Sequence, residues 1–166
     1  MKYFTRQWHS GELSDRAVEA AVTAYRAHIR SIASRLSPSL RFLAREISLH
    51  DGLIEKARVS SRSLTLWLRI GDRQRGYSSI CLAYAGVRRT DRLHPSLRQL
   101  AISEDEVVSD EIDVSSQGFT HRLFFSNDVE VTVAFETLVV RLSPRKTRRL
   151  SIPAHLRVRR EPHIAA

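Results

Sequence analysis

The segment Ser63-Leu64-Thr65-Leu66-Trp67-Leu68-Arg69-Ile70 places an aliphatic side chain at every second position. Successive side chains of a strand point to opposite faces of a sheet, so this period of two predicts a strand with one buried face. A strand inside a parallel sheet is apolar on both faces, whereas an antiparallel sheet can have one face in water. The segment therefore favours an antiparallel sheet.

The same period continues on both sides of this strand. Residues 53–59 predict a weaker strand before it, and residues 77–85 predict another strand after the polar turn 71–76. Together the three segments predict an antiparallel meander. Residues 88–103 are less regular, and one or two helical turns are expected over residues 94–100. Further strands are predicted over residues 107–114, 119–125, 129–135 and 138–142.

Helical periodicity dominates the chain before the sheet. Ser14 is a good N-cap, and apolar residues recur every three or four positions after it, which predicts a helix over Asp15–Leu36. Ser37 and Pro38 then suit the start of a second helix, because proline is tolerated at the first helical position. Residues 1–10 are interpreted as a short strand or an anchoring arm.

These segments predict an α+β fold. An N-terminal helical pair is followed by six or seven mostly antiparallel strands, and the helices pack on the sheet. Helices followed by strands differ from the strict alternation of a doubly wound fold. We expect residues 1–142 to form a single α+β domain and residues 143–166 to form a basic C-terminal tail.

Composition limits the class of protein. The 166 residues are 42% hydrophobic and 27% charged, which is ordinary for a folded domain and argues against disorder throughout. One cysteine cannot build a disulfide framework or a cysteine-based zinc finger. No apolar stretch approaches the ~18 residues of a membrane span, and the N-terminal residues lack the apolar core of a signal peptide. We therefore expect a cytoplasmic protein without membrane contact.

The net charge of +9 is concentrated near the C-terminal end. Residues 143–166 hold seven basic residues and one acid, a net charge of +6, which leaves +3 for residues 1–142. Such a tail favours contact with nucleic acid or with an acidic partner. No aromatic residue follows Phe135, so the tail cannot stack on bases, and non-specific affinity is the favoured interpretation. The candidate contact residues are Arg145, Lys146, Arg148, Arg149, Arg157, Arg159 and Arg160.

An acidic run lies at the start of the predicted strand over residues 107–114. It could present a negative face to a basic partner, or it could be a solvated loop and strand edge where acids discourage aggregation. Its spacing does not match the ligand pattern of a calcium-binding loop. We take the acidic run as the predicted partner-binding surface, made of Glu104, Asp105, Glu106, Asp110, Glu111 and Asp113.

Sequence motifs for catalysis and cofactor binding are absent. The chain contains no G-x-x-x-x-G-K-[ST], no G-x-G-x-x-G and no G-x-S-x-G. Cys81 falls within a predicted strand, a position typical of a small core residue. His50 and Asp51 suit a capping pair at the junction of helix and strand. We predict no catalytic residues, no metal and no cofactor. A metal-dependent hydrolase built on His50 and Asp51, with His121 or Glu111 as a further group, is a remote alternative.

Several short segments together resemble a known group of proteins. They are Ser48-Leu49-His50-Asp51-Gly52-Leu53-Ile54, Gly76-Tyr77, Leu82-Ala83-Tyr84-Ala85-Gly86-Val87, Asp110-Glu111-Ile112-Asp113, His121-Arg122-Leu123-Phe124-Phe125 and residues 130–136. Over residues 40–142 this pattern resembles uncharacterised small bacterial proteins in which a Leu-His-Asp segment precedes a β-meander. It is similar, more loosely, to immunity proteins of bacterial polymorphic toxin systems. The resemblance carries over no catalytic residue.

The function that we expect is a non-enzymatic protein-binding domain. The resemblance implies an immunity protein, an antitoxin-like partner that neutralises a bacterial toxin. Charged surfaces of both signs suit fast and selective association with such a partner. The alternative is a nucleic-acid-associated protein that uses the basic tail, and the hydrolase around His50 and Asp51 stands third.

Overall fold

The order of elements follows the helix-then-strand prediction. The structure is a computed structural model that describes residues 1–72, 76–88 and 90–144. In this part of the chain the α+β prediction is confirmed, because an N-terminal helical pair precedes one antiparallel sheet of seven strands. In chain order the elements are α1 (Arg6–His9), α2 (Asp15–Ile32), α3 (Pro38–Glu46), β1 (Gly52–Ser60), β2 (Ser63–Asp72), β3 (Gly76–Ala85), α4 (Thr90–Ser103), β4 (Glu106–Ser115), β5 (Gly118–Phe125), β6 (Glu130–Phe135) and β7 (Thr137–Pro144).

Both helices of the N-terminal pair begin after the serines that the sequence indicates. The Ser37 hydroxyl accepts a hydrogen bond from the backbone N–H of Leu40 at 3.3 Å, and a proline occupies the first turn of α3. Ser14 has the extended backbone of an N-cap before α2, although its side chain makes no capping bond. α2 ends at Ile32, earlier than predicted, because residues 33–36 form a turn and a bend.

The strand that was one of two predictions for the N-terminal segment is wrong. Residues 1–10 form no strand, and Arg6–His9 instead make one helical turn. The hydroxyl of Thr5 caps this turn by accepting a hydrogen bond from the backbone N–H of Trp8 at 3.4 Å. The alternative interpretation of this segment, an anchoring arm, is consistent with its contacts to β4 described below.

α4 is longer than the one or two turns predicted over residues 94–100. It runs from Thr90 to Ser103 and contacts β1 and β6. Leu93, Leu97 and Leu100 are buried along it, a spacing of four and three residues that is typical of one helical face packed against a sheet. The sequence before this stripe has no regular spacing of apolar residues, so it does not predict the start of the helix.

The sheet curls until its two edges approach each other. Its strand order is β6-β5-β4-β1-β2-β3-β7, and every neighbouring pair is antiparallel. β6 and β7 lie at opposite ends of this order although only Glu136 separates them in sequence, so the chain passes there from one edge to the other. A bridge between Arg88 and Ala134 also joins the chain after β3 to β6. The sheet contributes the buried residues Leu64, Leu66, Leu68, Ile80, Leu82, Ile112, Leu123, Phe125, Val133 and Phe135 to the core.

The sheet opens where β1 and β4 part. These strands pair over two residues only, while β4 continues to Ser115 without β1 beside it. Side chains from the helical layer satisfy backbone groups along the open edge. The Tyr25 hydroxyl accepts a hydrogen bond from the backbone N–H of Ile112 at 2.8 Å, and the Arg35 guanidinium donates to the carbonyl oxygen of Ser115 at 3.2 Å. The predicted packing of helices on the sheet is thus built from specific polar contacts as well as apolar ones.

Candidate functional site

Glu111, in the middle of the acidic run, is buried with 1% of its surface exposed. Its carboxylate accepts hydrogen bonds from the backbone N–H groups of Lys2 (2.8 Å), Tyr3 (2.6 Å) and Phe4 (2.8 Å). The Arg122 guanidinium lies 3.8 Å from the same carboxylate. Glu111 therefore holds the N-terminal segment against β4, and its carboxylate is not available to a partner in this structure.

Two further acids of β4, Asp110 and Asp113, also have internal partners. Asp110 Oδ2 lies 3.1 Å from Nε2 of His121, and Asp113 Oδ1 lies 3.2 Å from Nε2 of His28. Asp113 also accepts a hydrogen bond from the backbone N–H of Val114 at 2.8 Å. Successive side chains of β4 point to opposite faces of the sheet, and other parts of the chain cover both faces. The carboxylates on either face therefore meet partners within the chain.

The start of the acidic run is the part that reaches solvent. Asp105 accepts hydrogen bonds from Ser103 and from the side-chain amide of Asn127, the latter at 2.6 Å. Glu104 and Glu106 are exposed. The six acids that the sequence groups into one predicted surface therefore do not form one free face, and two exposed carboxylates remain at its edge.

His50 and Asp51 form an exposed pair at the junction between α3 and β1. His50 Nε2 lies 3.3 Å from Asp51 Oδ1, and Nδ1 lies 2.8 Å from the carbonyl oxygen of Val108. The ring ties the loop before β1 to β4, and no hydrogen bond from a backbone N–H to the Asp51 side chain is found among the described residues. Among the described residues, no group of three or more His, Cys, Asp or Glu side chains could hold a metal ion.

His121 lies inside the fold rather than beside the His50–Asp51 pair. It is fully buried, and its Nδ1 lies 2.8 Å from the hydroxyl of Tyr84. Burial raises the pKa of Tyr84, so the hydroxyl remains protonated and can donate to Nδ1. Nε2 then carries the proton that is donated to Asp110. The three side chains form a buried polar chain that ends at the opening between β1 and β4.

The basic tail lies outside the described residues, which end at Pro144. The predicted contacts of the tail therefore stay predictions. They concern Arg145, Lys146, Arg148, Arg149, Arg157, Arg159 and Arg160. β7 extends to Pro144, slightly beyond the predicted domain limit at residue 142.

A second basic region lies on the helical pair, and the sequence analysis missed it. Residues 20–45 contain five arginines and no acid. The signal was present in the sequence, but a charge summed over residues 1–142 conceals it. All five side chains are exposed on α2, on α3 or in the turn between them. We call them the arginine surface, which consists of Arg26, Arg30, Arg35, Arg41 and Arg45.

Most of the arginine surface has no partner within the described chain. Arg35 donates to the carbonyl oxygen of Ser115. The other four guanidinium groups form no hydrogen bond or ion pair with any described residue. An unpaired guanidinium keeps its five N–H donors for carboxylate or phosphate groups outside the chain. This contrasts with the acidic run, where most carboxylates are already bonded.

A groove between α2 and α3 brings part of the arginine surface together. Its volume is about 260 Å³. Arg26 and Arg30 lie one helical turn apart on α2, and Arg45 faces them from α3. Three less polar side chains complete the lining, namely Tyr25, Ile29 and Ala44. We call this feature the arginine groove.

The comparisons with known proteins identify the family. A family model described as "Protein of unknown function (DUF4085)" matches residues 1–135. The chain belongs to the DUF4085 family. The match covers the helical pair, α4 and the strands up to β6, and ends before β7. No curated protein and no solved structure gives a significant match to this DUF4085 chain. Within the described residues, no helix has the length and apolar character that crossing a bilayer requires.

Proposed function

We propose that this DUF4085 protein is a non-enzymatic protein-binding domain that contacts an acidic partner protein through the arginine surface. The arginine groove carries this proposal, because three arginine residues without partners among the described residues line it together with apolar side chains. A carboxylate side chain of a partner would form charge-assisted, bidentate hydrogen bonds with such groups. Its methylene groups would pack on Ile29 and Ala44 below.

The residue types of the arginine surface are those expected at a protein interface. Arginine and aromatic residues are enriched at interfaces, and they supply many of the residues that dominate binding energy. Phe42 is 40% exposed on α3 and lies three residues before Arg45, on the same side of the helix. An aromatic ring beside unpaired guanidinium groups offers apolar contact area together with directional hydrogen bonds. Electrostatic attraction from the same groups would accelerate the encounter with an acidic partner.

The partner class that we propose is a bacterial toxin, with this chain acting as its immunity protein. The resemblance of residues 40–142 to immunity proteins supports this step, and the arginine surface supplies a contact region for it. Co-purification with the product of a neighbouring gene tests the assignment. A toxin activity that this chain inhibits would support it, and a chain that binds and inhibits no neighbouring product would contradict it.

The contact surface is tested with probes of defined chemistry. Fluorescence anisotropy would measure the binding of a labelled glutamate-rich peptide to the full chain at two salt concentrations. The triple variant R26E/R30E/R45E should weaken that binding at least about tenfold, because it reverses every charge in the arginine groove. A matched variant, R16E/R58E/R141E, makes the same change in net charge at exposed positions outside the groove and should bind nearly as the unmodified protein does.

A nucleic-acid-associated function is the second candidate, and the unpaired guanidinium groups of α2 and α3 are the observation that favours it. Single-stranded RNA and duplex DNA of the same charge as the peptide would be titrated in parallel. Tighter binding of the nucleic acids, with a steep salt dependence, would favour this candidate over the protein partner. Equal loss of peptide binding in both triple variants would overturn the proposed surface, because a general charge effect would then explain it.

A further inference from the structure

A separate cavity lies at the opening between β1 and β4. Its volume is about 460 Å³, and it is bounded by the N-terminal segment, α2, α3, the loop before β1 and the open edge of β4. The cavity has an aliphatic part formed by Val22, Leu43, Ala44 and Ile47. Its size and its mixture of apolar walls with a few polar groups are typical of a small-ligand site.

Three aromatic side chains line this cavity. Phe4 packs edge-on against Trp8, with ring centroids 5.1 Å apart and planes at 61°. Phe4 also packs edge-on against Tyr25, at 5.1 Å and 73°. The three rings therefore lie in different planes around one space. A cation is attracted to the faces of such rings, where the π electrons lie, and not to their edges.

A carboxylate completes the lining. Asp110 has 21% of its side chain exposed, and its Oδ2 is held by His121. No described residue hydrogen-bonds to its other oxygen, Oδ1. The indole Nε1 of Trp8 is buried and also lacks a hydrogen-bond partner within the described residues. The residues that line the cavity thus include a carboxylate oxygen without a hydrogen-bond partner among the described residues, Oδ1 of Asp110.

The electrostatic surroundings are negative here despite the net charge of the chain. Burial is the main cause that raises the pKa of the Tyr25 hydroxyl, and the nearby carboxylates of Asp110, Glu111 and Asp113 raise it further. Tyr25 and Ala44 line both this cavity and the arginine groove, so they form the wall between the two. The guanidinium groups are therefore on the other side of that wall from Asp110.

We propose that this cavity binds an organic ammonium group that carries an aliphatic chain. The cation would lie between the three aromatic rings and the Asp110 carboxylate, gaining cation–π attraction and a charge-assisted contact. The methylene groups would pack on the aliphatic part of the cavity. The site is independent of the arginine surface and of the function proposed for it.

Fluorescence of the full chain provides the test. The sequence has two tryptophans, and W67F leaves Trp8 as the reporter. Choline is the cationic probe, and 3,3-dimethylbutan-1-ol is its neutral isostere. We expect choline to bind saturably and at least about fivefold more tightly than the alcohol, because only choline carries the charge. The variant D110N should lower choline affinity at least about tenfold, because it removes the negative charge beside the cation. D15N changes an exposed acid at the start of α2, outside the cavity, and should not lower it.

A second variant guards against a loss of folding in D110N. V22F enlarges a side chain of the cavity wall without touching the carboxylate, and it should also reduce choline binding. Equal affinity for choline and the alcohol, unchanged binding in D110N, or no saturable signal with any probe would each overturn the proposal. A peptide containing trimethyllysine distinguishes the source of the ammonium group: tighter binding than choline indicates a protein side chain, and weaker binding indicates a small molecule.

Discussion

The acidic run of β4 and the arginine surface of the helical pair differ in what their charges contact. In the acidic run, Asp110, Glu111 and Asp113 are bonded to a histidine ring or to backbone N–H groups. On the arginine surface, four of five guanidinium groups contact no described polar group. In sequence, however, the acidic run looks like the more concentrated of the two surfaces.

The difference follows from the elements that carry the charges. β4 lies inside the sheet order, with β5 on one side and the helical layer along the other, so its side chains meet other parts of the chain. α2 and α3 form an outer layer, and each has one face that the sheet does not cover. A charge run is therefore a candidate for partner binding only when the topology leaves it without internal partners.

Replacing Glu111 is the strongest test of this comparison. In E111A, the backbone N–H groups of residues 2–4 lose their acceptor inside the fold, and Arg122 loses its neighbouring anion. We expect the free energy of unfolding to fall by about 3 kcal/mol or more, since removing one partner of a buried charged network leaves polar groups unpaired. Urea denaturation followed by circular dichroism would measure the change.

The matched control for that variant is E106A, in the same strand. Glu106 is exposed, so its loss should change the free energy of unfolding by no more than about 0.5 kcal/mol. If E111A and E106A had the same free energy of unfolding, the acids of β4 would contribute no more to stability than surface charges do. The contrast between the two regions would then disappear.

The fold was largely predictable from the sequence because it depends on local patterns. The alternation at residues 63–70 predicts β2, and Ser37 predicts the start of α3. The buried position of Glu111 was not predictable, because its partners are backbone groups of residues 2–4 that no side-chain pattern marks. The arginine surface could have been found, since the absence of acids over residues 20–45 is visible in the sequence.

The cavity proposed for an ammonium group was not predictable from the sequence. It exists because β1 and β4 part after two residue pairs, and strand separation has no local signature. Phe4, Trp8 and Tyr25 also come from two elements that only the tertiary fold brings together. In the sequence they are aromatic residues of an arm and of a helix face, which predicts core packing for each of them.

Charge reversal on α2 should raise the free energy of unfolding, whereas the loss of Glu111 should lower it. Arg26 and Arg30 are four residues apart on α2, and like charges at this spacing repel. R26E places an acid one turn before Arg30, the favourable order for an ion pair. We expect thermal or urea denaturation to show a free energy of unfolding that is higher by about 0.3–0.5 kcal/mol.

R30E provides the matched comparison, because it makes the same change of charge with a different geometry. Arg30 lies in the last turn of α2, where a basic residue interacts favourably with the helix dipole. R30E should therefore give no stabilisation or a small loss, by about 0.5 kcal/mol at most. A loss of more than this in R26E would mean that Arg26 has a structural partner and that the arginine surface resembles the acidic run after all.

The smallest expected effect concerns the contact of the N-terminal segment with β4 and β5. The His9 ring stacks on Phe124 with centroids 4.6 Å apart, and Nε2 lies 2.9 Å from the hydroxyl of Ser109. Partial burial is the main cause that lowers the pKa of His9 below its ordinary value. The unfolded chain therefore binds a proton at this residue more readily than the folded chain does.

The sign of the resulting pH dependence follows from that difference. The stabilising contribution is complete above about pH 6.5, the ordinary pKa of histidine, and is lost as the pH falls through the lowered pKa of the folded state. The free energy of unfolding should thus decrease from pH 7 toward pH 5, and H9Q should decrease less steeply over the same range. The effect is small, because solvent screens a partly exposed ring. Parallel slopes for the two proteins would show that His9 does not couple the N-terminal segment to the acidic strand, and the attachment of that segment would then rest on Glu111.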